Sequence, residues 1–161
     1  MAIWQLKAQI IPAAYIGERL QLDENEWEEM PWWSIHEPPE NFACKFSTLL
    51  PPLKSWHEDL HQWGEQASDL IEIWYEEGKL ESVSVQFDCR KLNYDFISSV
   101  INVANSIDCR LVYSRYKTVM PNAIQELLSF IKESPSQKVL LNPAEWLPKL
   151  AMEVADEQKN R

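Results

Sequence analysis

Between residues 69 and 89 the side chains alternate with a period of two on either side of a glycine. Ile71, Ile73 and Tyr75 alternate with Glu72 and Trp74; after Glu76-Glu77-Gly78-Lys79, Val83, Val85, Phe87 and Cys89 alternate with Ser82, Ser84, Gln86 and Asp88. Successive side chains of an extended chain point to opposite faces, so this pattern builds two strands, each with one apolar face. Gly78 can take the left-handed conformation that a tight turn between them demands. The pattern therefore predicts a hairpin over residues 69–88, and a hairpin with an apolar face needs a sheet and a covering layer.

The flanking segments supply both. Trp4, Leu6, Ala8 and Ile10 alternate with Gln5, Lys7 and Gln9, which predicts a half-buried strand over residues 3–11 ended by Pro12. Asn93 can cap a helix on which Ile97, Val100, Ile101 and Ala104 recur at helical spacing. Cys109 to Tyr116 reads as a strand, and Pro121 suits the first turn of a helix carrying Ile124, Leu127, Leu128 and Ile131. Val139-Leu140-Leu141 reads as a short last strand, and Asn142-Pro143 as the start of a C-terminal helix that Pro148 limits. The expected fold is one α+β domain over residues 1–161. A mainly antiparallel sheet carries two or three helices on one face, among them those of residues 94–107 and 121–133.

Length and charge narrow the function classes. A chain of 161 residues, 45% apolar, is long enough to bury a core and short enough to be one domain. Residues 1–81 carry sixteen acidic against five basic side chains, and residues 82–161 nine against ten. That balance disfavours nucleic acid, whose phosphates call for a basic stripe. No segment approaches the ~20 apolar residues of a membrane span, and the N-terminus lacks the pattern of a signal peptide. Cys44, Cys89 and Cys109 show no paired spacing, which fits buried thiols in a reducing compartment; the cytoplasm is the expected location. With three glycines there is no Gly-rich phosphate loop. Arg110, Arg115 and Lys117, interleaved with Tyr113 and Tyr116, read as a charged strand edge or a small anion site.

The segment at about 18–54 is the place to look for function. It is acidic, rich in Trp and Pro and without periodicity, holding eight acids and one base between Glu18 and Glu40. Five of the eight tryptophans and five of the ten prolines fall between residues 27 and 63. Trp27, Trp32 and Trp33 amid Glu28 and Glu29 form the pattern of aromatic anchors ringed by acids, suited to a basic protein partner. The expectation is a non-enzymatic binding domain of the immunity or adaptor type, without a cofactor; the alternative use of these tryptophans is a lid over the sheet. Oligomeric state is not legible.

One motif offers an enzymatic alternative. His57-Glu58-Asp59-Leu60-His61 matches HExxH, in which two histidines one helical turn apart bind zinc and the intervening glutamate activates water. On that reading His57 and His61 are ligands and Glu58 the general base of a zinc-dependent hydrolase. Gly64 sits where a longer signature has its glycine, but Ala67 occupies the place of the third ligand. The competing reading is a short helix opened by a Ser55–Glu58 capping box, with Trp56, Leu60 and Trp63 packed inward.

The run LLPPLKSW…WGEQASDLIEIWYEEGKLESVSVQFDCR resembles small bacterial proteins of uncharacterised function. The resemblance spans residues 49–141, rests on Trp56, Trp63-Gly64 and the hairpin, and implies no activity. Bacterial immunity proteins, which neutralise a basic toxin with an acidic surface, share this size and charge as an analogy of composition.

Overall fold

A computed structural model describes residues 2–160. Its centre is one seven-stranded sheet. In chain order the elements are β1 (Gln5–Pro12), α1 (Ala13–Ile16), α2 (Glu24–Glu29), α3 (Trp32–Ile35), α4 (Phe42–Ser47), β2 (Pro52–Leu53), β3 (Leu60–Gly64), β4 (Leu70–Glu76), β5 (Lys79–Asp88), α5 (Tyr94–Ser106), β6 (Cys109–Tyr113), β7 (Thr118–Val119), α6 (Ile124–Lys132), α7 (Pro135–Leu141) and α8 (Pro143–Lys159). The strands lie in the order β2-β3-β4-β5-β1-β6-β7. Every pairing is antiparallel. The α+β class expected from the sequence is the class found, with eight helices among the described residues rather than two or three. No helix there is long and apolar enough to cross a membrane.

The expected hairpin is β4 and β5. Glu77 and Gly78 turn the chain with φ of 50° and 76°, the two successive positive values of the hairpin turn that matches strand twist. A register shift between Trp74 and Tyr75 marks a bulge next to that turn. Residues directly opposed in an antiparallel ladder share a face, so the register assigns the apolar one: Leu6 opposes Phe87, Ala8 opposes Val85, Val85 opposes Ile71, Val83 opposes Ile73, and Ile10 opposes Leu111. All these side chains are buried. The Phe96 ring of α5 meets Phe87 edge-on at 5.7 Å, which seats α5 on this face.

The other face carries a polar row. Gln9, Ser84, Glu72 and Gln62 lie side by side across four strands. Glu72 accepts from Lys7 Nζ at 3.1 Å and from Gln62 Nε2 at 2.9 Å. At one end the loop 65–69 closes over the face, because Gln5 and Gln86 both donate their amides to the Gln66 carbonyl. Hydrogen bonds thus hold Glu72, Gln5 and Gln86 on this face, while the buried Oε1 atoms of Gln9 and Gln62 have no partner in the chain.

Four expectations change in detail. Val139-Leu140-Leu141 is not a strand: Ser134 caps α7 by accepting from Gln137 N–H, and Pro135 fills its first turn. A cap and a preset φ decide the conformation of a three-residue apolar run that has no neighbouring edge to pair with. Pro148 lies inside α8, which continues through it to Lys159. The segment at 18–54 is not irregular but holds α2, α3, α4 and β2, short elements with no periodicity to read. The strand from Cys109 ends at Tyr113, and a turn through Lys117 (φ 56°) returns the chain as β7.

Candidate functional site

Residues 55–63, expected as a helix on either reading, contain none. Ser55 Oγ accepts from His57 N–H and donates to the His57 carbonyl, a local turn in place of a helix cap. From Leu60 the chain is strand β3, paired with β4 through Leu60–Trp74 and His61–Ile73. The hairpin partner satisfies the backbone that a helix would have satisfied within itself. His57 Nδ1 accepts from Asp59 N–H at 3.1 Å, and His61 stands between Trp63 and Tyr75, with ring centroids at 6.4 and 5.5 Å. The two imidazoles share no helical face, and no three His, Cys, Asp or Glu side chains converge on a point among the described residues. The geometry that would make Glu58 a general base beside a metal, with His57 and His61 as ligands, is not formed here.

Gly64 has a structural reason of its own. Its φ is +102°, and a Cβ there would collide with the Asp69 carbonyl and crowd Leu50. Only glycine lets β3 cross so close to the chain entering β4.

The three tryptophans named as anchors separate in depth. Trp32 is fully buried and Trp33 is 5% exposed. Trp32 meets Tyr15 edge-on at 6.0 Å and Trp27 at 5.7 Å, while Trp33 stacks on Phe42 at 6.1 Å. Trp32 and Trp33 are therefore core, the lid expected as the alternative, and neither can touch a partner without unpacking. Trp27 is half-buried and packs against that core.

Trp27 is held on α2 by local chemistry. Asp23 accepts from Glu26 N–H, and the Glu26 carboxylate accepts from Asp23 N–H, forming a capping box. The same carboxylate takes Arg19 Nη1 at 2.8 Å and the Tyr15 hydroxyl at 3.0 Å. Burial pushes Glu26 upward, but the Arg19 guanidinium, the Asp23 amide and the Tyr15 hydroxyl together hold it below the usual carboxylate range. Glu24 pairs with Lys117 at 2.9 Å. Glu28 and Glu29 are exposed. Trp27 and Glu28 line an open cleft of about 910 Å³ between α2 and the end of α8, where Glu157 and Asn160 form the other side.

The basic residues of the β6–β7 turn are committed within the chain. Arg110 donates to the Met120 carbonyl at 2.9 Å, Arg115 pairs with Glu153 at 3.3 Å, and Lys117 with Glu24. Of the thiols, Cys89 and Cys109 are buried and pushed up to about 12, chiefly by burial, whereas Cys44 is exposed, against the expectation of three core cysteines. No signal in the sequence separates Cys44 from the others, because α4 shows no readable period.

The inward packing expected of Trp56 is not found: on a turn instead of a helix, it is 73% exposed and stands at a steep angle to Trp74 at 5.4 Å and to His57 at 5.7 Å. Comparison of the chain with protein families, with curated proteins and with solved structures finds no match.

Proposed function

We propose that this protein is a non-enzymatic binding domain, of the immunity or adaptor type, that holds a basic protein partner at the cleft between α2 and α8. The observation that carries the reading is that cleft: a half-buried Trp27 on a capped helix, with Glu28 beside it in the lining, Glu157 facing it and the exposed Glu29 next along α2. Arg115 and Lys117 also line the cleft, but each is paired with a carboxylate of the chain, Glu153 and Glu24, so the exposed Glu28 and Glu157 are left to draw a cationic surface and the ring supplies desolvated area to hold it. The N-terminal half, with sixteen acids against five bases, extends the same field. Trp32 and Trp33 support the site from beneath instead of touching the partner.

The test is affinity capture from the native lysate with the wild-type chain and with a Glu28→Lys/Glu29→Lys variant. The expected result is a basic protein retained by the wild type, released by salt, and lost by the variant. Retention unchanged by the double charge reversal, or retention only of acidic or neutral proteins, overturns the reading.

A further inference from the structure

Two tryptophans of this chain differ from Trp56 in what covers them. Those near the surface at the ends of the chain carry a cation of their own. Arg90 lies over Trp4 at 4.6 Å, and both Lys138 and Lys149 lie over Trp146, at 4.7 and 4.2 Å. Trp56 is far more exposed than either, yet among the described residues no cation of the chain lies over it, although Lys54 is two residues away. Trp74 and His57 meet it at steep angles and are themselves 5.6 Å apart, so the two rings flank it on one side, and Trp74 is placed by pairing opposite Leu60. Most of the Trp56 ring surface, on the side away from those two rings, is thus left open to water at a real hydrophobic cost.

The surroundings specify what fits on it. Glu58 and Asp59 follow His57 directly, and the Asp59 carbonyl accepts from Tyr75 N–H, so Glu76 and Glu77 lie across the ladder from them. Lys54 and Lys79, the latter opposite Glu76, offset part of this charge, and the corner stays negative on balance. A sugar platform is disfavoured, since sugars stack on broad coplanar surfaces and these rings stand at 66° and 77° to one another. A cation needs only one ring face and a nearby carboxylate. Of the two biological cations, the planar and weakly hydrated guanidinium stacks better and pairs with carboxylates in two-pronged fashion.

We propose that the Trp56–His57–Trp74 ledge is a second docking surface, which takes an arginine side chain from an exposed basic segment of a partner protein. It is separate from the α2 cleft and does not depend on it. Arginine lies on the Trp56 face, as Arg90 lies on Trp4, with Glu58 as the first carboxylate within reach.

The test uses the ¹⁵N-labelled full chain and watches its indole N–H resonances by NMR, with Trp56 assigned from a Trp56→Phe variant. The probes are the blocked pentapeptide Gly-Arg-Gly-Arg-Gly, its citrulline twin and a neutral maltohexaose. Saturable shifts at Trp56 and Trp74 with the arginine peptide are expected. Binding should weaken about tenfold or more with citrulline or in Trp56→Ala, the scale of a desolvated cation–aromatic contact. Unmoved Trp32 and Trp33 resonances in Trp56→Ala show that the fold is intact. The Glu28→Lys/Glu29→Lys variant should bind the peptide as the wild type does, which keeps failure of the cleft reading apart from failure of this one. Absence of a saturable Trp56 shift, equal binding of the citrulline twin, saturation by maltohexaose, or full binding by Trp56→Ala overturns the proposal.

Discussion

At the scale of single residues, burial sorts side chains that look alike in the sequence. Trp32 is fully buried against Tyr15 and Trp27, whereas Trp56 is mostly exposed and meets the rings of Trp74 and His57. Trp32→Ala should therefore cost about 3–5 kcal/mol in urea unfolding, and Trp56→Ala should stay within ~0.5 kcal/mol of wild type. Equal losses would mean that Trp56 is part of the core. The carboxylates separate in the same way. Asp88 is held below the usual range by the Arg90 guanidinium, while burial, helped by the Asp88 charge, pushes Asp69 above it. A raised carboxyl stabilises the fold below its unfolded value and loses that contribution as pH rises through the folded value. Asp69 Oδ1 accepts from Asp88 N–H at 2.8 Å, a bond that asparagine keeps. Asp69→Asn should thus raise stability at pH 7 and match wild type near pH 3, as read from unfolding midpoints at both values. A variant less stable than wild type at pH 7 contradicts this account.

At the scale of elements, local chemistry was readable wherever the element closes its own hydrogen bonds. Asn93 accepts from Phe96 N–H at 3.1 Å and opens α5 where the sequence places it, with Phe96, Ile97, Val100, Ile101 and Ala104 buried. Asn93→Ala should cost about 1 kcal/mol in the same unfolding assay, and Asn93→Asp should restore most of it. The β4–β5 hairpin was readable for a similar reason, since its turn and its alternation lie within twenty residues. Elements such as α3 and α4 were not. Four- and six-residue helices carry too few positions to show a period, and they persist because Trp32, Trp33, Phe42 and Phe46 are packed, not because of propensity. The 55–63 turn failed in the opposite sense, since a strong local pattern for helix lost to pairing with β4.

At the scale of the whole molecule, the net charge of −10 sits in the N-terminal half, which contains the Trp56 ledge and the α2 side of the cleft. Association with a basic partner should therefore be steered by charge. Raising ionic strength from about 0.05 to about 0.5 M shortens the screening length several-fold. The association rate should fall about tenfold or more while the dissociation rate changes little, as measured by stopped-flow or surface-binding kinetics. An association rate indifferent to salt would remove the electrostatic part of the proposed function. The sheet order adds something no charge count reveals. β5 and β6 both run antiparallel to β1 and so parallel to each other, and α5 is the crossover that joins them over β1.

The sequence by itself determined the class of fold, the hairpin, the capped α5 and the acidic balance, because each rests on neighbours along the chain or on composition. Tertiary structure alone decided that β1 lies inside the sheet between β5 and β6, that Trp32 and Trp33 are core while Trp56 is bare, and that His57 and His61 fall on a turn and a strand. The physical reason is the same in each case. Alternation and capping report what a segment prefers in isolation, but which strand edge it meets, and how much water it loses there, depends on residues far away in the chain.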